Sequence, residues 1–209
     1  MSVATSVLPE SVAERLRASI ITQVDAPGST ITETAVALRY GVARPTARLA
    51  IDRLVADGIL RREAHRAPRV PELSRDDIVD LYDNRAVLES AAIGALRSVP
   101  EDALAAHHAL TTTADFAAHD IAFHRALVAA QPSIRLARLH SLLMGEIELC
   151  IGQVQAHQLV PVTDVAAQHQ RILDAVTAGD ALAAGDLAGA HVDASGAALL
   201  AHYDTHRGR

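Results

Sequence analysis

The chain has 209 residues, half of them apolar and 21% charged, so it can bury a core and wholesale disorder is excluded. Its basic residues are all Arg, its apolar content is mostly Ala, Leu, Val and Ile, and its aromatics stop at Tyr40, Tyr82, Phe116, Phe123 and Tyr203, which favours helix over sheet. The net charge of −6 divides unevenly: residues 1–72 hold ten Arg against eight acidic residues, and residues 73–209 hold nine against seventeen, as two domains with different partners would. The lone Cys150 excludes an internal disulfide and makes a reducing cytoplasm the expected compartment. The first residues lack a signal-peptide pattern, and no run of about 18 apolar residues exists, so no membrane partner is expected.

The periodicity predicts a first helix over Glu10–Gln23, broken by Pro27-Gly28. Thr32 is placed to cap a second helix, Glu33–Tyr40, which Gly41 ends. A third helix follows from Arg44 to about Asp57, with Ala47, Ala50, Ile51, Leu54 and Val55 on one face and Arg44, Thr46 and Arg48 on the other. Two helices joined at Gly41-Val42 form a helix-turn-helix, whose second member can enter a major groove. Arg suits bidentate contact to guanine or phosphate. Two short strands, Ile59–Arg62 and Arg69–Pro71, are expected next, joined by a basic tip that includes His65 and Arg66. Such a wing could reach a minor groove or backbone phosphates. The plain alternative is that these Arg residues are only solvated surface.

Ser74 and Asp77 read as a capping box opening a long helix to about Arg97. Ile78, Leu81, Tyr82, Arg85, Leu88, Glu89 and Ala92 share its inner stripe, so two charges face the interior. They are either an internal pair at four-residue spacing or an Arg85 presented to an anionic ligand. Further helices are expected at 101–113, 115–130, 133–158, 162–178 and 180–204, with no strand past residue 72, as in an all-α antiparallel bundle. Phe116, Asp120, Phe123, His124 and Leu127 share one face, His169 one with Val165, Ile172 and Val176, and His191 one with Leu187, Ala194 and Ala198. One carboxylate and three imidazoles pointing inward need partners. A divalent metal would satisfy all four, and zinc suits them first, with nickel, manganese or iron as alternatives. A hydrogen-bonded core is the other reading, and the one adopted for His140, which shares a stripe with Leu136, Leu143 and Ile147.

The run from Pro27 to Leu60 resembles the winged helix of GntR-type transcriptional regulators, with Pro27, Gly28, Glu33, Gly41, Val42, Arg44, Pro45, Arg48, Leu54 and Gly58 in the family's pattern. Two departures stand out: Ala43 replaces the usual capping Ser, and the wing lacks its usual Gly near Ala67-Pro68. Arg85 to Glu89, Asp120 to His124, Gln168-His169 with Gly179-Asp180, and Ala190-His191 are similar to the motifs of the FCD domain of the FadR subfamily. Gln168 stands where that pattern has Glu, and the 97–115 segment is shorter than usual.

The resemblance implies a winged helix-turn-helix over residues 1–72 and an all-helical FCD effector- and metal-binding domain over residues 73–209. It implies a cytoplasmic, homodimeric, ligand-responsive regulator, expected to be a repressor, that binds a short inverted-repeat operator. DNA contact falls to Arg44, Thr46, Arg48, His65 and Arg66; a divalent ion to Asp120, His124, His169 and His191; and a small carboxylate effector to that ion, with Arg85 as a second anchor. Two alternatives are a metal-free FCD regulator and a metal-dependent HD-type phosphohydrolase using His119-Asp120. The second requires His119, and the first-ranked reading requires His124. No catalytic residue is expected.

Overall fold

Thr32 accepts a hydrogen bond from the Ala35 N–H at 3.2 Å, and Gly41 closes the same helix in the left-handed region at φ 65°. Gly takes that conformation without the strain a Cβ adds, and it lets the next helix start three residues later, at Arg44. Around this turn, α1 (Pro9–Ile21), α2 (Glu33–Tyr40) and α3 (Arg44–Ala56) pack into a three-helix unit. The computed structural model describes residues 8–113 and 115–206, and its chain divides into the units Met1–Leu73 and Ser74–Arg209. The core of the first unit takes Val12, Leu16 and Ile20 from α1, and Ala47, Ala50, Ile51 and Leu54 from α3. As the Ala43 departure implies, α3 starts without a side-chain cap. Gln23 is in the left-handed region at φ 59°, just beyond the end of α1, which stops short of the expected Gln23.

The two expected wing strands do not form. Among the described residues the pairing is reduced to two isolated antiparallel bridges, Arg61 with Arg69 and Thr30 with Arg69. Arg61 and Arg69 exchange both backbone hydrogen bonds at 2.9 Å, and Ile31 N–H donates to Pro68 at 2.8 Å. Pro68 and Pro71 flank the bridge and have no N–H to donate, so the ladder stops. The tip closes as a turn, with Arg66 N–H donating to Glu63 at 3.2 Å. His65 occupies the left-handed region there at φ 62°, a conformation that otherwise favours Gly.

The second unit contains α4 (Arg75–Gly94), α5 (Glu101–Leu110), α6 (Phe116–Ala130), α7 (Ile134–Ala156), α8 (Val162–Ala178) and α9 (Ala181–His206). Ser74 and Asp77 form the reciprocal capping box on α4, with bonds of 3.1 and 2.8 Å. α5 ends earlier than expected, at Leu110, because the hydroxyls of Thr112 and Thr113 turn back to carbonyls of its last turn. α4 and α9 form the most extensive helix pair. A Cβ at Gly185 would stand 3.0 Å from the Ser90 carbonyl, and one at Gly196 would stand 2.8 Å from the Tyr82 ring. The missing side chains therefore let α9 close on α4, which brings His191 toward Arg85 and Glu89.

Candidate metal centre and nucleic-acid interface

α6 buries Phe116, Asp120, Phe123, His124 and Leu127 on its inner face, and α8 buries Val165, His169, Ile172 and Val176. His191 is also buried, but the face of α9 is turned from the expected one. Its buried positions are Ala184, Ala188, Val192 and Leu199, whereas Leu187 and Ala198 are half-buried and Ala194 is exposed. His191 thus sits at the edge of the buried stripe. Much of the inner surface of α9 is Ala and Gly, so apolar spacing alone does not orient the helix.

One donor atom from each of Asp120, His124, His169 and His191 lies within 4.8 Å of the others. His124 Nε2 is 3.1 Å from His191 Nε2, and His169 Nε2 is 3.4 Å from His191 Nε2. Asp120 Oδ1 is 3.3 Å from His169 Nε2 and 3.9 Å from His124 Nε2. Donors sharing a cation at bond lengths of about 2.0–2.1 Å stand about 3 Å or slightly more apart, so the spacing fits.

The opposite ring nitrogens sharpen the test. His191 Nδ1 is 2.7 Å from Gln168 Oε1, an acceptor, so Nδ1 carries the proton. His124 Nδ1 lies 2.6 Å from Glu89 Oε2, in contact though out of line for a regular hydrogen bond. With the His191 proton on Nδ1, its Nε2 lone pair is turned to the cluster and faces His124 Nε2 across 3.1 Å. Such outer partners orient histidine ligands generally. Phe123 stacks on His169 at 3.8 Å between ring centroids and fixes its plane.

Glu89 is the hub beneath this cluster. Its Oε1 accepts from Arg85 Nε at 2.8 Å and lies 3.2 Å from His140 Nε2. His140 thus joins the network as a hydrogen-bonded core residue. Its link to Glu89 joins residues 51 positions apart, which helical spacing does not reveal. Arg85 and Glu89 are an internal pair, 1% and 0% exposed. Burial opposes ionisation of Glu89, yet Arg85 and His124 outweigh it and hold the carboxyl well below the usual range. Burial likewise works against the Asp120 carboxylate, but the His169 hydrogen bond and the neighbouring imidazoles win, and its pKa falls. Burial lowers His169 to about 4 despite Asp120, and it lowers His191 well below the ordinary imidazole value. Asp120 is therefore a carboxylate and His169 and His191 are neutral imidazoles, the forms that coordinate metal.

A cavity of about 40 Å³ opens beside the cluster and reaches Asp120, His191, Gln168 and Ser195. Arg85 is not among its lining residues. His119 is half-buried and outside the donor group, so the HD dipeptide does not converge on one centre.

In the first unit, Arg44 and Arg48 are exposed on α3, and both approach Glu33, at 3.8 and 4.0 Å. Thr46 is half-buried on the same helix, and His65 and Arg66 are exposed at the wing tip. Arg66 pairs with Glu63 at 2.9 Å.

Residues 8–70 match the family described as bacterial regulatory proteins, gntR family, and residues 80–194 match the FCD domain. The chain belongs to the GntR family and carries an FCD domain. It is a transcriptional regulator, and the HD-type phosphohydrolase alternative falls with that assignment. The GntR chain is 29% identical over 164 residues to a "Probable D-xylose utilization operon transcriptional repressor" of Paenarthrobacter nicotinovorans, covering 73% of this chain and 71% of that one. It is 28% identical to the HTH-type transcriptional regulator BphR of Paraburkholderia xenovorans, over 90% of this chain and 83% of the relative. Among solved structures, a GntR transcriptional regulator of Rhodococcus sp. RHA1 is 26% identical with a TM-score of 0.74, covering 92% of this chain and 97% of that one. McbR/YncC of E. coli, at 17% identity and a TM-score of 0.75 over 95% of this chain and 100% of that one, shares the fold. No helix among the described residues is long and apolar enough to cross a membrane.

Proposed function

We propose that this GntR regulator senses a small organic acid through a divalent metal held by Asp120, His124, His169 and His191. The observation that carries this is the convergence of four buried donor atoms within 4.8 Å of one another, with His191 Nδ1 engaged by Gln168 at 2.7 Å so that its Nε2 is turned to the cluster. Three imidazoles and a carboxylate suit zinc first, and nickel, manganese and iron accept the same donors. When bound, the ion supplies a Lewis-acidic point for an effector carboxylate. The protein's residues do the rest: Gln168 and Glu89 orient two imidazoles, and Phe123 fixes a third. Among the described residues, the titratable groups that line the cavity are Asp120 and His191, both taken as ligands, so the centre serves binding rather than turnover.

Arg44, Thr46, Arg48, His65 and Arg66 form the DNA-contacting surface, with the α3 residues reading bases and the wing tip reaching the backbone or minor groove. One α3 reads few base pairs, so a homodimer on a short inverted repeat is the working assembly. Repression is the direction adopted from the D-xylose relative's name. Effector binding changes operator affinity only by favouring one arrangement of the DNA-binding units over another. Arg85 remains an effector anchor only if the Glu89 pair opens.

Elemental analysis of gently purified protein, repeated after incubation with each metal, tests this reading. About one divalent ion per chain is expected, with loss in His169→Ala and His191→Ala and operator binding retained. Absence of any near-stoichiometric ion would overturn it in favour of a hydrogen-bonded, metal-free core.

A further inference from the structure

We infer that the wing carries a phosphate-binding cleft, built by Arg61 and Arg69 with Arg66, that takes one phosphodiester of the DNA backbone apart from the bases read by α3. This rests on the DNA-binding reading above and adds to it two arginines and the chemical group they hold.

Backbone pairing dictates where these side chains go. Arg61 and Arg69 exchange both backbone hydrogen bonds at 2.9 Å, so they stand directly opposite and their side chains leave the same face. Thr30 pairs with Arg69 from the other edge and shares that face. All three residues are exposed, whereas Ile31, Leu60 and Val70, one position along, are buried. The face is therefore the solvent side of the wing. Like charges directly opposite repel. Among the described residues, Arg69 has no side-chain ion pair to offset this. An anion between the two guanidiniums turns the repulsion into attraction.

An open cleft of about 160 Å³ lies on this part of the wing, lined by Arg61, Arg66 and Arg69 with Gly28, Glu63 and Glu72. Arg66 joins it because the tip closes as a turn and Glu63 holds the guanidinium at 2.9 Å. Three guanidiniums against two carboxylates leave one positive charge, which a single phosphodiester neutralises. The planar fork of Arg matches a pair of phosphate oxygens. No aromatic side chain lines the cleft, so it offers a base nothing to stack on. The next residue, Arg62, instead reaches Asp52 of α3 at 2.7 Å. That tie fixes the wing base against the helix that carries Arg48, which is itself 3.8 Å from Asp52.

The test uses the full chain and fluorescence anisotropy over a range of salt concentrations. The probes are a mixed-sequence duplex and a duplex selected by the protein from a random pool. Arg61→Gln and Arg69→Gln are each expected to weaken both duplexes about tenfold at ~0.1 M salt and to lower the slope of log K against log salt by about one. The ratio between the duplexes should not change. Arg69→Lys should keep the slope, and Arg171→Gln, the same charge change on the exposed side of α8, should alter nothing. Neutral methylphosphonates placed one at a time in the selected duplex should weaken the wild type at one position per half-site to which Arg69→Gln no longer responds. Relief of the opposed pair should leave free Arg69→Gln at least as resistant to urea as the wild type.

An unchanged slope in Arg69→Gln overturns the cleft, as does an equal loss in Arg171→Gln or a methylphosphonate profile the same as wild type. A lower urea midpoint in Arg69→Gln also overturns it, because the arginine would then be structural. Inorganic phosphate is the other source of the same chemistry. Its calorimetric binding to wild type but not to Arg69→Gln, with duplex binding equal in the two, assigns the cleft to a free anion and overturns the DNA contact. Failure of the wild type to bind any duplex removes the DNA-binding reading itself.

Discussion

Glu89 Oε2 stands 2.6 Å from His124 Nδ1, while the other oxygen of the same buried carboxylate takes Arg85 and His140. One side chain on α4 therefore orients a residue of the donor cluster on α6 and neutralises a guanidinium that is 1% exposed. Glu89→Ala is expected to cost about 3–5 kcal/mol of stability by stranding Arg85, and to weaken metal binding about 10–100-fold. Glu89→Gln should keep more stability but still lose metal affinity. Urea denaturation and competition with a chelator measure the two effects. Wild-type metal affinity in both variants would remove Glu89 from the site.

Acid should destabilise the metal-free protein. Folding holds His169 neutral and lowers it from 6.5 to about 4, so the unfolded chain binds a proton that the folded one excludes. The sign is a loss of stability as pH falls from about 6.5 to about 4, on the order of 3 kcal/mol for this residue. His191, also lowered, acts in the same direction. Denaturation of chelator-treated protein at several pH values reads the slope. Equal stability at pH 7.5 and 5 would contradict the burial of neutral imidazoles.

Arg44→Ala or Arg48→Ala should cost about 1–3 kcal/mol in operator affinity and relax preference at one base position. Both side chains are 69% exposed and only loosely paired, with Glu33 and, for Arg48, also with Asp52 at 3.8 Å, so they are available to a duplex. Arg66→Ala should weaken binding across sequences and lower its salt dependence. Fluorescence anisotropy against operator variants separates the two outcomes, and unchanged affinity in folded Arg44→Ala and Arg48→Ala proteins would count against the interface.

The regulator should sediment as a dimer at micromolar concentration. α7 leaves Ile134, Leu139 and Leu142 exposed at 71%, 53% and 75%, more apolar surface than a lone helix face usually presents to water. Monomer alone, both free and on an inverted-repeat duplex, would overturn the dimer.

Local chemistry was legible in the residues themselves. Ser74 with Asp77, Thr32 with Ala35, and Gly41 announce helix ends because capping acts over three or four positions. Asp120 and His124, four apart, necessarily share a helix face, and His169 visibly interrupts an apolar stripe. The family motifs in both halves carried the class of protein. Tertiary structure alone decided that donor atoms from three helices meet within 4.8 Å, and that Arg85 turns to Glu89 rather than into the cavity. It also turned α9 so that Ala194 is exposed, and cut the wing to single bridges. The reason is range. Caps and faces follow from torsions and spacing along one helix, whereas ion pairs, cavity size and strand pairing depend on distances between segments that only packing sets.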